Sequence, residues 1–194
     1  MPTGKMVDRR VARTKKALLD ALHSLISEKD YDSIVVKEIL DRADVGRSAF
    51  YTHFSDKDDL LAHGIQDIVG GLPAWHSQPG ERRNDEPLWF SQTIFEHVDR
   101  QRRTTMHKLG PRGAAILHQR LNQILVKLIA EQLRTGPRKQ NKRGDRVPSD
   151  LLAQYLAVTF VLVLNWWIES KSQIPPSAVN DLFRSLVLPT LTSN

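Results

Sequence analysis

Arg47, Ser48, Tyr51, Thr52 and His53 place hydrogen-bond donors and an aromatic ring on one outward face of a seven-residue stretch, with no acid among them. A guanidinium at the head of such a face can donate two parallel hydrogen bonds to guanine O6 and N7, or grip a phosphate. Hydroxyl, phenol and imidazole groups suit phosphate oxygens and base edges alike. A carboxylate on the same face would meet phosphate and repel it, so the lack of one is informative. Other chemistry finds little support. The seven histidines (His23, His53, His63, His76, His97, His107 and His118) include no His-Glu-x-x-His pair or other tight ligand spacing. No glycine-rich phosphate loop follows a strand, and no nucleophile elbow occurs. With no cysteine, neither disulfides nor thiolate metal sites can form. The expectation is therefore no catalytic residue, no metal and no cofactor.

The elements around that face are short helices. Val36, Ile39, Leu40 and Ala43 fall at i, i+3, i+4, i+7, which makes one apolar stripe. Asp44-Val45-Gly46 interrupts the pattern, and a second helix turns Ala49, Phe50 and Phe54 inward. Two short helices joined by a tight turn make a helix-turn-helix, whose second helix can enter the DNA major groove. Before it, the spacing predicts a helix over residues 9–28, with Leu18, Ala21, Leu22, Leu25 and Ile26 as its core face. Arg9, Arg10, Arg13, Lys15 and Lys16 crowd its first turns, of which Arg13 and Lys16 are the candidate phosphate contacts. Residues 1–8 read as a disordered arm. Residues 1–60 hold eleven basic and eleven acidic side chains, so this region is neutral, with its positive charge gathered at one end. The whole chain of 194 residues carries +6, which favours an anionic partner without naming one. The N-terminus lacks the apolar core of a signal peptide, so cytoplasm is the expected location.

Ser55 reads as the cap of a further helix through Leu60, Leu61, Ile65, Ile68, Val69 and Leu72. A Pro- and Gly-rich connection from Pro73 to Pro87 then divides the chain into a head, 1–60, and a body, 61–194. The body reads as helical over 86–103, over 114–134 after the Gly110-Pro111-Arg112-Gly113 break, and over 151–168. A final helix starts at Pro175-Pro176. The segment 136–147 reads as a basic loop, either a second phosphate-binding patch or a surface loop, and its distance along the chain from the recognition helix favours the latter. Leu151 to Ile168 is almost wholly apolar and near the lower length limit for a membrane span. Three polar interruptions and flanking acids instead favour a helix buried on all faces inside protein. No membrane partner is expected. Burial on all faces asks for a second surface, most simply another subunit, and two adjacent apolar C-terminal helices suit a two-fold four-helix interface. Its candidate residues are Leu156, Phe160, Leu164, Trp167, Leu182, Phe183 and Leu186. The fold class is all-α: a three-helix head with a helix-turn-helix, then a helical regulatory and dimerisation body, about nine helices in total.

The first sixty-odd positions resemble the N-terminal domain of TetR-type transcriptional regulators. The matching residues are Ile39, Ala43, Val45, Phe50-Tyr51-Thr52-His53-Phe54, Lys57 and Leu60. The resemblance implies base-edge positions at Arg47 and Ser48, and phosphate positions at Tyr51, His53 and Lys57. Thr52 shares their face. There are departures: Asp30 stands where the family often has Gly, Val35 where it has a helix-capping Ser or Thr, and Gly46 where it often has Ser. The body resembles the regulatory domain of the same family through Asn165-Trp166-Trp167-Ile168-Glu169.

The resemblance implies a homodimer on double-stranded DNA, a palindromic operator, repression, and release by a small-molecule effector. Trp89, Phe90, His97, Met106, Tyr155, Thr159 and Trp166 are the candidates for lining the effector pocket. Asn165 is read as either a ligand anchor or a polar residue that fixes dimer register, with the register role favoured. A second reading is a helical dimer that acts as a coactivator or architectural protein, through a protein partner or through DNA without sequence choice. Val35, Gly46 and the neutral head favour that alternative, and the donor-rich face opposes it.

Overall fold

The computed structural model describes residues 3–71, 88–102, 106–135, 147–170 and 173–192. The connection Pro73–Pro87 and all of the basic loop except Val147 lie outside them. The described chain is all-α, with eight α-helices and no strand among the described residues. They are α1 (Thr3–Glu28), α2 (Val36–Ala43), α3 (Arg47–His53), α4 (Lys57–Gly70), α5 (Phe90–Arg102), α6 (Gly110–Thr135), α7 (Ser149–Glu169) and α8 (Pro176–Thr192). Two 3-10 turns, Tyr31–Ser33 and Met106–Lys108, precede α2 and α6. The chain divides into two compact units, Met1–Ile65 with Thr104–Leu117, and Gln66–Arg103 with His118–Asn194.

The first unit closes around the apolar stripe of α1. Leu18, Leu22, Leu25 and Ile26 recur on one face and meet Ile39 and Leu40 of α2, Phe50 of α3, Phe54 and Leu60. Each of these side chains is almost wholly buried, and full burial of such a group stabilises by about 1.5–3 kcal/mol. Leu109 belongs to the same core, with Met106, Ile116 and Leu117 packed against it. The stretch 104–117 therefore joins the head, although sequence order places it in the body. Apolar contacts across so many intervening residues leave no local pattern to read.

Three local expectations change. Helix α1 begins at Thr3, so the arm expected at 1–8 is helical from that residue onward. Lys5, Met6, Arg9, Arg10 and Ala12 are good helix formers and outweigh Gly4 and the weaker Thr3, Val7, Asp8 and Val11. The cap of α4 is Asp56 rather than Ser55: its Oδ1 accepts the backbone N–H groups of Asp58 at 2.9 Å and Asp59 at 2.8 Å. Asp59 reaches back to the Ser55 N–H at 3.0 Å. Finally, Gly110 and Pro111 open α6 instead of separating two helices. Gly110 takes φ +62°, and Pro111 follows in the first turn, where its missing N–H is not needed.

The second unit has an aromatic centre. Phe95 lies 4.7 Å from Phe160 and 5.9 Å from Trp167, and Phe160 meets Phe183 edge-on at 5.2 Å. Such tilted and edge-to-face pairs add to area burial. The Trp167 indole N–H donates to the Ile174 carbonyl at 3.0 Å. The buried Ser91 hydroxyl lies 2.8 Å from the Leu88 carbonyl and 2.6 Å from the Asn180 amide oxygen.

This packing corrects the expected interface set. Leu156, Phe160, Leu164, Trp167 and Phe183 are buried within the single chain and have no surface to offer a partner. Only Leu182 and Leu186 of that set are exposed. The uncovered apolar residues of α7 are Leu151, Tyr155, Val158, Leu162 and Trp166, close to i, i+4, i+7, i+11, i+15 and hence on one face.

The expected pocket residues have differing surroundings. Phe90 is fully buried against Phe160, Met106 packs in the first unit, and Tyr155 and Trp166 stand on the exposed stripe. Trp89, His97 and Thr159 are half-buried in the second unit, the last donating to the Tyr155 carbonyl at 2.8 Å. Asn165, read as a register-setting residue, donates to Glu169 on its own helix at 3.1 Å.

Candidate nucleic-acid interface

Helix α3 owes its placement to two rings. Phe50 and Phe54 lie 5.7 Å apart, with 0% and 2% of their surfaces exposed. Burial of that pair fixes the rotation of a helix too short to be stable alone. Arg47, Ser48, Tyr51 and Thr52 then face outward and are exposed, while His53 is half-buried beside Phe54. Tyr51 rests edge-on against Phe50 at 5.2 Å, which steadies the phenol without burying it. The Thr52 hydroxyl donates to the Ser48 carbonyl at 2.8 Å, so outward it offers an acceptor and a methyl group. A methyl group at that position can pack against a thymine methyl.

The turn before α3 depends on Asp44, which adopts φ 52° and ψ 47° as the C-cap of α2. Asparagine and aspartate enter this left-handed region more readily than other side chains. The Val45 N–H closes the turn on the Leu40 carbonyl at 3.1 Å. Neither helix of the pair receives a side-chain cap at its start, since Val35 and Gly46 carry no acceptor. At α2, Glu38 compensates by accepting the Val35 N–H at 3.0 Å.

Two ion pairs brace the end of α1 and the residue after it against α2, and sequence reading missed both. Arg42 grips Glu28 with both guanidinium nitrogens, one at 2.9 Å, and also donates to Ser24 at 2.9 Å. Lys29 meets Glu38 at 2.6 Å. The hydrogen bond from Arg42 holds the Glu28 carboxyl below its usual range, and that from Lys29 does the same for Glu38. A partner fourteen or nine residues away gives no helical-spacing signal, so only the crossing of the two helices reveals it.

Among the cations expected at phosphate, Arg13 is exposed on α1. Lys16 pairs with Asp20 at 2.5 Å, both largely solvated. Such a surface pair contributes about 0–1 kcal/mol and can yield to a phosphate. Lys15 instead lies over the Phe54 ring at 5.9 Å. Lys57, a phosphate position by the family resemblance, is turned toward the backbone. Its ammonium donates to the carbonyls of Tyr31 at 2.8 Å, Asp32 at 3.1 Å and Ile34 at 2.8 Å, and sits 4.6 Å from the Tyr31 ring centre. A lysine has three N–H donors, and all three are engaged.

Comparison with known proteins agrees with this arrangement. Residues 18–63 match the family model described as bacterial regulatory proteins, tetR family, and residues 85–188, more than half of the chain, match that of a transcriptional regulator C-terminal region. The chain belongs to the TetR family. Over 63 residues it is 40% identical to the uncharacterized HTH-type transcriptional regulator YxbF of Bacillus subtilis (strain 168), a match spanning 32% of this chain and 17% of that protein. A TetR transcriptional regulator from Streptococcus agalactiae 2603V superposes with a TM-score of 0.58 at 22% identity, over 95% of this chain and 99% of that one. RolR, solved in complex with resorcinol, superposes with a TM-score of 0.59 at 16% identity, over 93% and 90%. The structural likenesses show a shared fold. In this TetR-family chain, then, the exposed face of α3 occupies the second helix of a DNA-binding helix-turn-helix. Among the described residues, no group of three or more histidines and acids is placed to hold a metal ion.

Proposed function

We propose that the protein is a cytoplasmic transcriptional repressor that binds a palindromic operator as a homodimer and leaves it when a small molecule binds the body. The observation that carries this reading is the acid-free, exposed face of α3, with Arg47 at its first position. In this reading the DNA-binding domain is the head, 1–60 by sequence, and 61–194 serves dimerisation and ligand binding. Arg47 and Ser48 read base edges, while Tyr51, His53, Arg13 and Lys16 hold phosphates. One seven-residue helix reaches few bases, so specificity requires two copies, and a two-fold dimer requires half-sites about one helical turn apart. The exposed apolar stripe of α7, with Leu182 and Leu186 of α8, supports the dimer. Release needs only an effector that binds more tightly to the dimer conformation mismatched to the operator. RolR, with its bound resorcinol, is a precedent for a ligand on this fold.

The test is selection of bound duplexes from sheared genomic DNA by the wild type and by Arg47→Ala. The wild type should enrich a palindrome, and the variant should lose roughly 1–3 kcal/mol of discrimination at one base position in each half-site. If neither protein enriches any site, sequence-reading regulation fails and the coactivator or architectural reading takes its place.

A further inference from the structure

The position of Lys57 raises a question that the DNA-binding reading leaves open. Its stem rises from the first turn of α4, three residues beyond the end of the recognition-helix core at Phe54. Its ammonium lies in a cradle of three backbone carbonyls, those of Tyr31, Asp32 and Ile34, which make up the turn joining α1 to α2. The Tyr31 carbonyl also accepts the Ile34 N–H at 3.1 Å, which closes the turn, and the turn is anchored by the buried Tyr31 and Ile34, with 0% and 1% of their surfaces exposed. The ring of Tyr31 closes one side of the cradle at 4.6 Å, an ordinary distance for a cation over an aromatic face.

The surroundings hold the cradle in place. The Tyr31 hydroxyl donates to Asp58 Oδ1 at 2.5 Å, and Arg112 grips the other oxygen of Asp58 at 2.5–2.8 Å. Gly110 lies where an added Cβ would stand 3.2 Å from Asp32 Oδ2, so α6 starts directly against the same turn. The turn carries Val35, the first residue of the helix-turn-helix, and α2 continues through Asp44 into α3. A clamp between the α1–α2 turn and the start of α4 therefore grips the helix-turn-helix at both of its ends.

We propose that Lys57 is a positioning residue for DNA recognition, which sets the angle of α3 by clamping the 31–34 turn to α4, and that it makes no phosphate contact. The proposal rests on the DNA-binding reading above. A point charge with three engaged donors has nothing left to give a phosphate without releasing the turn. Burial also lowers the affinity of the amine for its proton, in keeping with a group turned inward from the polyanion.

The experiment compares Lys57→Met with Arg13→Ala in the full-length protein, by fluorescence anisotropy on the selected operator and on a scrambled duplex across a salt series, well below either melting temperature. Met keeps the stem against the Tyr31 ring and removes the donors. Lys57→Met should weaken operator binding by roughly tenfold, the cost of about one misread base pair, while scrambled-duplex binding and the salt slope stay at the wild-type values. Arg13→Ala, a phosphate contact, should lower the slope by about 0.9 for each phosphate lost and weaken both duplexes alike. If Lys57→Met behaves like Arg13→Ala, or like the wild type, the proposal is overturned.

A measurement on the unmutated protein covers the case in which Lys57→Met does not fold. Amine acetylation read by mass spectrometry should modify Lys57 far more slowly than the exposed Lys37, with or without DNA. A rate for Lys57 equal to that of Lys37 in the free protein removes the cradle and the proposal with it. If the wild type binds no duplex at all, the DNA-binding reading fails, and the acetylation rate still reports on the cradle separately.

Discussion

Asp44 shows how much one backbone conformation decides in the head. It sits in the left-handed region between α2 and α3, and the turn it makes sets the crossing of the two helices. A β-branched residue there meets the carbonyl that Asp tolerates, whereas Gly meets nothing. Asp44→Val should therefore lower stability by about 1–2 kcal/mol in urea unfolding. Asp44→Gly should change it by less than about 1 kcal/mol, relief of strain offsetting the extra freedom of the unfolded chain. Arg47 works on the same scale with the opposite signature. It is exposed, so its removal should leave folding untouched and change only what the protein selects from DNA.

At the scale of elements, the head is held by packing inside and by ion pairs at the edge. Glu28 and Glu38 both carry carboxyls depressed by their basic partners across the α1–α2 crossing. A carboxyl with a folded pKa below its unfolded value binds its proton more readily in the unfolded chain. Its contribution to stability is therefore complete above about pH 4.5 and fades as pH falls through the depressed folded value. Urea midpoints of the wild type should drop between about pH 5 and pH 3. Glu28→Gln should start lower at neutral pH and fall less steeply, and an identical slope in the two proteins would remove the pair from the account. High salt should shrink the difference, because both carboxylates are solvated. The segment 104–117 acts on this scale too, since Leu109 adds to the head core from far along the sequence.

At the scale of the whole molecule, the decisive feature is how α7 divides its apolar surface. One side is the aromatic core around Phe160 and Trp167, and the other is the exposed stripe from Leu151 to Trp166. Leu162 is the most exposed of the stripe, at 65%. Charge placed there costs an isolated chain little, within about 0.5 kcal/mol, and costs a buried interface much more. Leu162→Glu should sediment as a monomer with a normal helical spectrum and should lose operator binding. Sedimentation identical to the wild type would move the interface elsewhere. Phe160→Glu, by contrast, should fail to fold.

What the sequence determined by itself is what repeats locally. Period-3.6 stripes placed α1 and α2, the Phe50 and Phe54 spacing oriented α3, and the residues left over on α3 were its outward donors. The same periodicity says nothing where every face is apolar. In α7 it offered no contrast between core and surface, so Leu156, Phe160, Leu164 and Trp167 were read as interface when they are core. Only the tertiary structure decided which side of α7 is covered, because that depends on where α5 and α8 lie. It also decided where the Lys57 ammonium lies: the family resemblance implies a phosphate position there, and the group meets three carbonyls more than twenty residues back. The physical reason is the same in both cases: a side chain's partners across a fold are set by packing at long sequence separation, and no local pattern encodes them.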